Sequence, residues 1–330
     1  MTGFLGRATA VAGLAVVAAC SSGRLPQSDL PADPIAFVRQ EAKQGIASLD
    51  QFMAAVDFLS PEELEKRKAG GSSPPRAART SLMLIDPRTG ALRAVPDAGL
   101  GTLPLDWSSD GNFLLIGRVR RGGFRLRLFS WNRLTGAYTR LVPGITRGNA
   151  ALGAGPIRLV TLGLAKRADG SVSRQILVTT DDGTWPLPGG VNGTEPDVAP
   201  DGRSLIFVRR TGRKGGDGVI LRHVLGEDAP RPLGRGRAPR LSRDGRWIAY
   251  VSWRRGNGDI WLMRSDGSGR RPVAQSDFNE GFPAVSPHGR YVVYASARGS
   301  EKESQLFITR VSDGAERQLT QNAQNGRPVW

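Results

Sequence analysis

Apolar residues gather in short runs along this chain, rich in aromatic and β-branched types, and each run is broken off by a polar turn. Trp247-Ile248-Ala249-Tyr250, Asp259-Ile260-Trp261-Leu262-Met263, Tyr291-Val292-Val293-Tyr294 and Gln305-Leu306-Phe307-Ile308-Thr309 are the clearest, and runs of this kind bounded by Gly and Asp read as strands. The turns keep a beat. Thr89-Gly90, Thr135-Gly136, Asp182-Gly183, Asp266-Gly267 and Asp313-Gly314 are tight-hairpin pairs, because glycine reaches positive φ without steric cost. Together with Gly226 they are separated by 46, 47, 43, 41 and 47 residues. A second marker, Gly111, Gly202, Gly245 and Gly289, follows Asp110, Asp201, Asp244 and His288 in steps of 91, 43 and 44, with one copy skipped. A repeat of this length holding several short strands predicts a β-propeller blade. Six copies imply six blades, none able to bury its own faces alone.

The two ends of the repeat region complement each other. Residues 81–95 supply only the last two strands of a blade, and Pro328-Val329-Trp330 repeats the first, so joining them would shut a ring and remove the free edges of an open sheet. An open solenoid is the alternative arrangement. Residues 147–188 keep the hairpin at Asp182-Gly183 but replace the first turn with Gly153-Ala154-Gly155.

The pattern Pro-x-x-Ser-x-Asp/His-Gly, a strand, then Asp-Ile-Trp-Leu or Gln-Leu-Phe-Ile, then Asp-Gly resembles the repeat of TolB-type propellers, most fully over residues 239–267 and 283–314. The resemblance covers residues 81–330 and implies the fold more than the function, since similar repeats also serve prolyl oligopeptidases and polysaccharide lyases. It implies a non-catalytic scaffold of the cell envelope. TolB itself carries a larger α/β domain ahead of its propeller and is soluble in the periplasm, and this sequence departs from it on both counts.

Ahead of the repeats, residues 1–19 have one positive charge followed by a 12-residue apolar run and small residues before Cys20, which resembles a lipoprotein signal. The run is shorter than the roughly 20 residues a bilayer needs. Cys20 is the only cysteine, so no internal disulfide can use it and lipid attachment is its expected role. Ser21 lacks the Asp associated with inner-membrane retention, which favours the periplasmic face of the outer membrane. Residues 20–33 then read as a lipidated tether, 34–69 as a short helical segment, 70–79 as a Gly/Ser/Pro linker, and 80–330 as an all-β, six-bladed propeller. Ile35, Val38, Ala42, Ile46, Leu49, Phe52, Met53 and Val56 carry the helical spacing.

Charge adds one clue. The chain is formally +16, with 40 Arg against 6 Lys, a bias that a GC-rich genome would also produce. Sorted by blade topology, Arg118, Arg120, Arg121, Arg209, Arg210, Arg213, Lys214, Arg254, Arg255 and Arg298 fall at connections between second and third strands. Arg231, Arg235 and Arg237 are expected on the same side, and the turn aspartates on the other. A basic face of this kind would hold carboxylates or phosphates and steer an acidic partner: an envelope protein, an anionic polymer or lipid headgroups. Nucleic acid is not expected, for want of a recognisable motif. The turn aspartates themselves read as turn chemistry.

No Gly-x-Ser-x-Gly elbow, Walker loop, EF-hand loop or zinc spacing is present, and the two histidines, His223 and His288, are far apart in sequence. No catalytic residue, metal or cofactor is therefore assigned. A carboxylate pair across a central channel would make the alternative, a carbohydrate-active lyase or hydrolase. A structural subunit of an envelope assembly is the other.

Overall fold

The apolar runs form strands whose side chains alternate between two sheet faces, and in many of them both faces are buried, as in Ser204–Arg209 and Tyr291–Ser296. That burial requires each sheet to be covered on both sides. The computed structural model describes residues 23–40, 80–99, 101–119, 126–146, 149–166, 170, 172–210, 217–298 and 303–330. Cys20, Arg120, Arg121, Arg213, Lys214 and residues 41–79, which hold most of the expected helix and all of the linker, lie outside them.

Every sheet among the described residues is antiparallel. Gln324–Val329, Ile35–Gln40, Thr80–Ile85 and Leu92–Ala94 form one. Thr102–Trp107, Phe113–Val119, Leu126–Asn132 and Tyr138–Thr146 form the next, and Ala151–Leu152, Leu159–Lys166, Val172–Thr180 and Gly183–Val191 the third. A seven-stranded sheet follows: Gly193–Val198, Ser204–Arg209, Gly218–Val224, Arg231–Leu241, Trp247–Ser252, Asp259–Arg264 and Arg271–Ala274. Its long strand pairs backward through residues 231–236 and forward through 237–241, so it ends one set of four and begins another. Glu280–Val285, Tyr291–Ser296, Gln305–Arg310 and Glu316–Gln318 complete the sheets of the described residues.

The first strands of the successive sets touch one another in a closed cycle, from Thr102–Trp107 through Gln324–Val329 and back. The architecture is a β-propeller. Its core is divided accordingly, since most of the hydrophobic clusters take side chains from two neighbouring sets; Ile206, Val208 and Ile220, for example, meet Leu233, Ile248, Tyr250 and Met263. First strands carry a bulge where a residue with positive φ precedes proline, at Glu195-Pro196, Ala238-Pro239, Phe282-Pro283 and Arg327-Pro328. Gly153-Ala154-Gly155 does replace a turn in the third set: a Cβ on Gly155 would lie 2.8 Å from the Asp201 carbonyl of the neighbouring turn.

Two expectations for the N-terminal part change. Ile35–Gln40 is a strand, not the start of a helix, paired with Thr80–Ile85 on one side and Gln324–Val329 on the other. Ile35, Ala36, Phe37 and Val38 are all buried, and a short continuous apolar run buried on both faces cannot be told from a helix by spacing alone. The ring is thus shut as the repeat ends implied, with Ile35–Gln40 as the second strand of that sheet. Nor is all of 20–33 a free tether. Arg24 bridges Glu316 in parallel, Leu25 and Leu30 are fully buried in the seam between the last sheet and the first, and the Tyr291 hydroxyl donates to the Asp29 carbonyl at 2.6 Å.

Candidate functional site

The disc has two ends. Connections between second and third strands leave from what is termed the upper end; the Asp-Gly turns and hairpins lie at the lower end. Gln40 stands opposite Thr80, so residues 41–79 depart from and rejoin the upper end at adjacent points.

At the upper end, residues 253–258 and 276–279 are tied into one platform. Asn257 Nδ2 donates to the carbonyls of Ser276 and Phe278 at 2.6 and 2.9 Å, and the Gly258 amide donates to Asn279 Oδ1 at 3.0 Å. The Trp253 amide donates to Asp217 Oδ1, and Arg235 Nη2 donates to the Asp217 carbonyl, which joins the next connection to the same platform. Arg235, Arg254 and Arg255 are exposed there, beside Trp253 (37% exposed) and Phe278 (43%). The Arg254 guanidinium lies 5.3 Å from the Trp261 ring centre, and Arg255 Nη1 lies 3.9 Å from the buried Asp259. Burial raises the Asp217 carboxyl above its ordinary range, while the Trp253 amide and the Arg235 and Arg254 charges pull it back.

The other expected basic residues among the described ones also have partners within the protein. Arg118 stacks over Phe129 and Tyr138 at 4.6 and 5.0 Å and donates to the Asp97 carbonyl. Arg209 Nη2 donates to the Gly189 carbonyl at 2.6 Å, and Arg210 is half-buried and also engaged. Arg237 does not belong to a binding face. It is 7% exposed, with Nε and Nη2 donating to Glu195 Oε1 at 3.1 and 2.7 Å, because its strand passes from one set to the next without a loop. Arg298 is drawn inward between Glu280 and Glu316. Arg231 lies at the lower end beside Glu227. The separation of charge is incomplete as well, since Arg203, Arg246 and Arg290 are exposed in the lower turns.

The lower end follows the turn chemistry closely. Asp110, Asp201 and Asp244 each accept from a backbone amide two residues on, and from the hydroxyl of Ser108, Ser204 or Ser242. His288 is exposed in the equivalent turn, and His223 is buried in its strand. At the axis, first-strand side chains enclose a cavity of about 50 Å³ lined by Asp106, Asp197, Arg240, Arg243, Trp107 and Trp330 among others. Asp106 Oδ2 accepts from the Leu152 amide at 2.8 Å, and Asp197 Oδ2 from the Leu241 amide at 2.7 Å, so each carboxylate staples its strand to the next around the ring. Arg240 Nη1 stands 3.6 Å from Asp197. Burial, then the neighbouring Asp197 charge, pushes the Asp106 carboxyl up to about 7; burial also raises Asp197, offset by Arg240. Neither aspartate was singled out from the sequence. The signal exists, for Asp106, Asp197 and Arg240 each stand five residues before Gly111, Gly202 and Gly245, one repeat position that faces the axis.

No family model matches the chain. Among curated proteins it is 43% identical over 79 residues to the uncharacterized protein Atu1656 of Agrobacterium fabrum, covering 24% of this chain and 25% of that one. It is 28% identical over 131 residues to the uncharacterized peptidase YuxL of Bacillus subtilis, covering 37% of this chain and 19% of that one. The matches thus span a quarter or less of these relatives' own length. Among solved structures, TolB from Acinetobacter baumannii superposes with a TM-score of 0.63 at 18% identity, over 90% of this chain and 66% of that one. A protein of Agrobacterium tumefaciens assigned as TolB superposes with a TM-score of 0.54 at 22% identity, over 75% and 91%. The chain has the TolB-like β-propeller fold.

Proposed function

We propose that this protein is a non-catalytic scaffold of the bacterial cell envelope, a six-bladed TolB-like propeller that binds an acidic partner, either a protein or an envelope polymer, at its upper end. The observation that carries the reading is the platform on which Arg235, Arg254 and Arg255 stand exposed beside Trp253 and Phe278 on cross-tied loops. Guanidinium groups on a stiff support lose little freedom on meeting carboxylates, and exposed Trp and Arg are the side chains that dominate binding surfaces. Acylation of Cys20 belongs to the same reading and would hold the ring at the periplasmic face of the outer membrane.

The test uses the full chain on immobilised polyglutamate, polygalacturonate and vesicles of anionic phospholipid, across a salt series. Wild type is expected to bind one of these in a salt-sensitive manner, and Arg254→Glu with Arg255→Glu to lose that binding while still unfolding in one cooperative thermal transition. Equal binding by the double variant would overturn the upper-end assignment. For the anchor, Cys20→Ala should move the protein from the membrane to the soluble fraction and end acyl labelling; unlabelled wild type in the membrane fraction would refute it.

A further inference from the structure

At the lower rim a groove of about 620 Å³ opens between the third set of strands and its neighbour. Its walls come from Gly155, Pro156 and Arg158, from the hairpin at Thr180-Asp181-Asp182 with Trp185, and from the neighbouring hairpin at Leu225-Gly226. The size lies within the roughly 300–1,000 Å³ of small-ligand sites.

The chemistry of the walls is selective. Trp185 sits on an outer strand, 38% exposed, and lines the groove as its one large aromatic surface. In the same lining Arg158 donates through Nε and Nη2 to both oxygens of Asp181, at 2.9 and 2.8 Å, so the guanidinium and the carboxylate form one flat polar plate. The pairing holds the Asp181 carboxyl below its usual range, which keeps the plate ionised. Asp182 and the Thr180 hydroxyl extend the line of polar groups. Because Arg158 is already spanned by Asp181 and two carboxylates accompany it, the groove offers a polyanion no excess of positive charge. A ligand with apolar C–H faces and hydroxyls at its edges meets both surfaces: the faces pack on the indole, and the hydroxyls donate to carboxylate oxygens and accept from guanidinium N–H groups.

We propose that this groove is a binding site for a neutral oligosaccharide of pyranose units, with Trp185 as the stacking platform and the Arg158–Asp181 plate as the hydroxyl clamp. The site is separate from the upper-end platform and does not depend on it.

The experiment titrates full-length protein by calorimetry with three trimers: N-acetylglucosamine, glucose, and galacturonate as the acidic control. A neutral trimer is expected to bind with roughly millimolar affinity or better. Trp185→Ala is expected to weaken it about tenfold or more, Trp185→Phe less, each with an unchanged melting temperature. Asp182→Lys, at an exposed turn position, gives a second reading should the Trp185 variants fail to fold, and is also expected to weaken binding. No heat from either neutral trimer, or neutral-sugar binding insensitive to all three variants, overturns the proposal. So does preference for galacturonate that is lost in the Arg254→Glu, Arg255→Glu protein, which would place sugar binding at the upper end.

Discussion

Replacing Arg237 by methionine separates a binding role from a structural one. The Arg237 side chain and Glu195 are 8% and 7% exposed, and the carboxylate is held by two arginine N–H groups and by the Ala238 amide at 2.6 Å. Methionine preserves much of the volume but leaves Glu195 buried with its charge uncompensated, and breaking one side of a buried pair costs about 3–5 kcal/mol. At about 2–4 °C per kcal/mol for a protein of this size, the melting temperature should fall by about 6–20 °C. Circular dichroism at 218 nm and tryptophan fluorescence would follow the transition. The pair-replacing variant Glu195→Gln with Arg237→Met should recover most of the loss, since no buried charge then remains unpaired. An Arg237→Met protein that melts with wild type would refute the structural assignment and return this arginine to the surface.

Asp106→Asn tests the axis. The folded carboxyl titrates near 7 against an ordinary 3.8, so between those values the folded state keeps a proton that the unfolded chain has released. Wild-type stability from this group is therefore present at low pH and lost as pH rises through that window; the variant should match wild type near pH 4 and exceed it by roughly 2–4 kcal/mol above pH 7 in urea unfolding. A constant difference across pH would contradict the buried carboxyl. Leu30→Ala, at a fully buried seam position, should destabilise by about 2–5 kcal/mol by the same assay, whereas a free tether predicts no change.

The repeat was legible because its turns demand backbone conformations that few residues reach. Gly90, Gly136, Gly267 and Gly314 close their hairpins at φ +73°, +75°, +87° and +73°, and Gly111, Gly202, Gly245 and Gly289 all have φ between +60° and +71°. Local need leaves a local mark. What depends on distant partners leaves none: Ile35–Gln40 becomes a strand through pairing with residues 324–329, and its apolar run would suit a helix equally well without them. Arg237 looked like a surface arginine because a repeat unit normally ends in a loop, and nothing nearby announces that residues 231–241 run straight through. Asp106 and Asp197 were visible in principle, as acidic residues inside apolar strands at a shared repeat position, once the repeats are aligned on their turn glycines.

The pairing of Ile35–Gln40 with Gln324–Val329 also sets a timetable for biogenesis. The earlier strand emerges from the ribosome, and from any export channel, long before its partner exists, and until then one hydrogen-bonding edge stays open. Each later blade can stack on the one before it, but circularisation waits until residues 324–329 have been made. During that interval the nascent chain is a natural client for holdase chaperones, and slowing its completion should raise aggregation more than slowing its start.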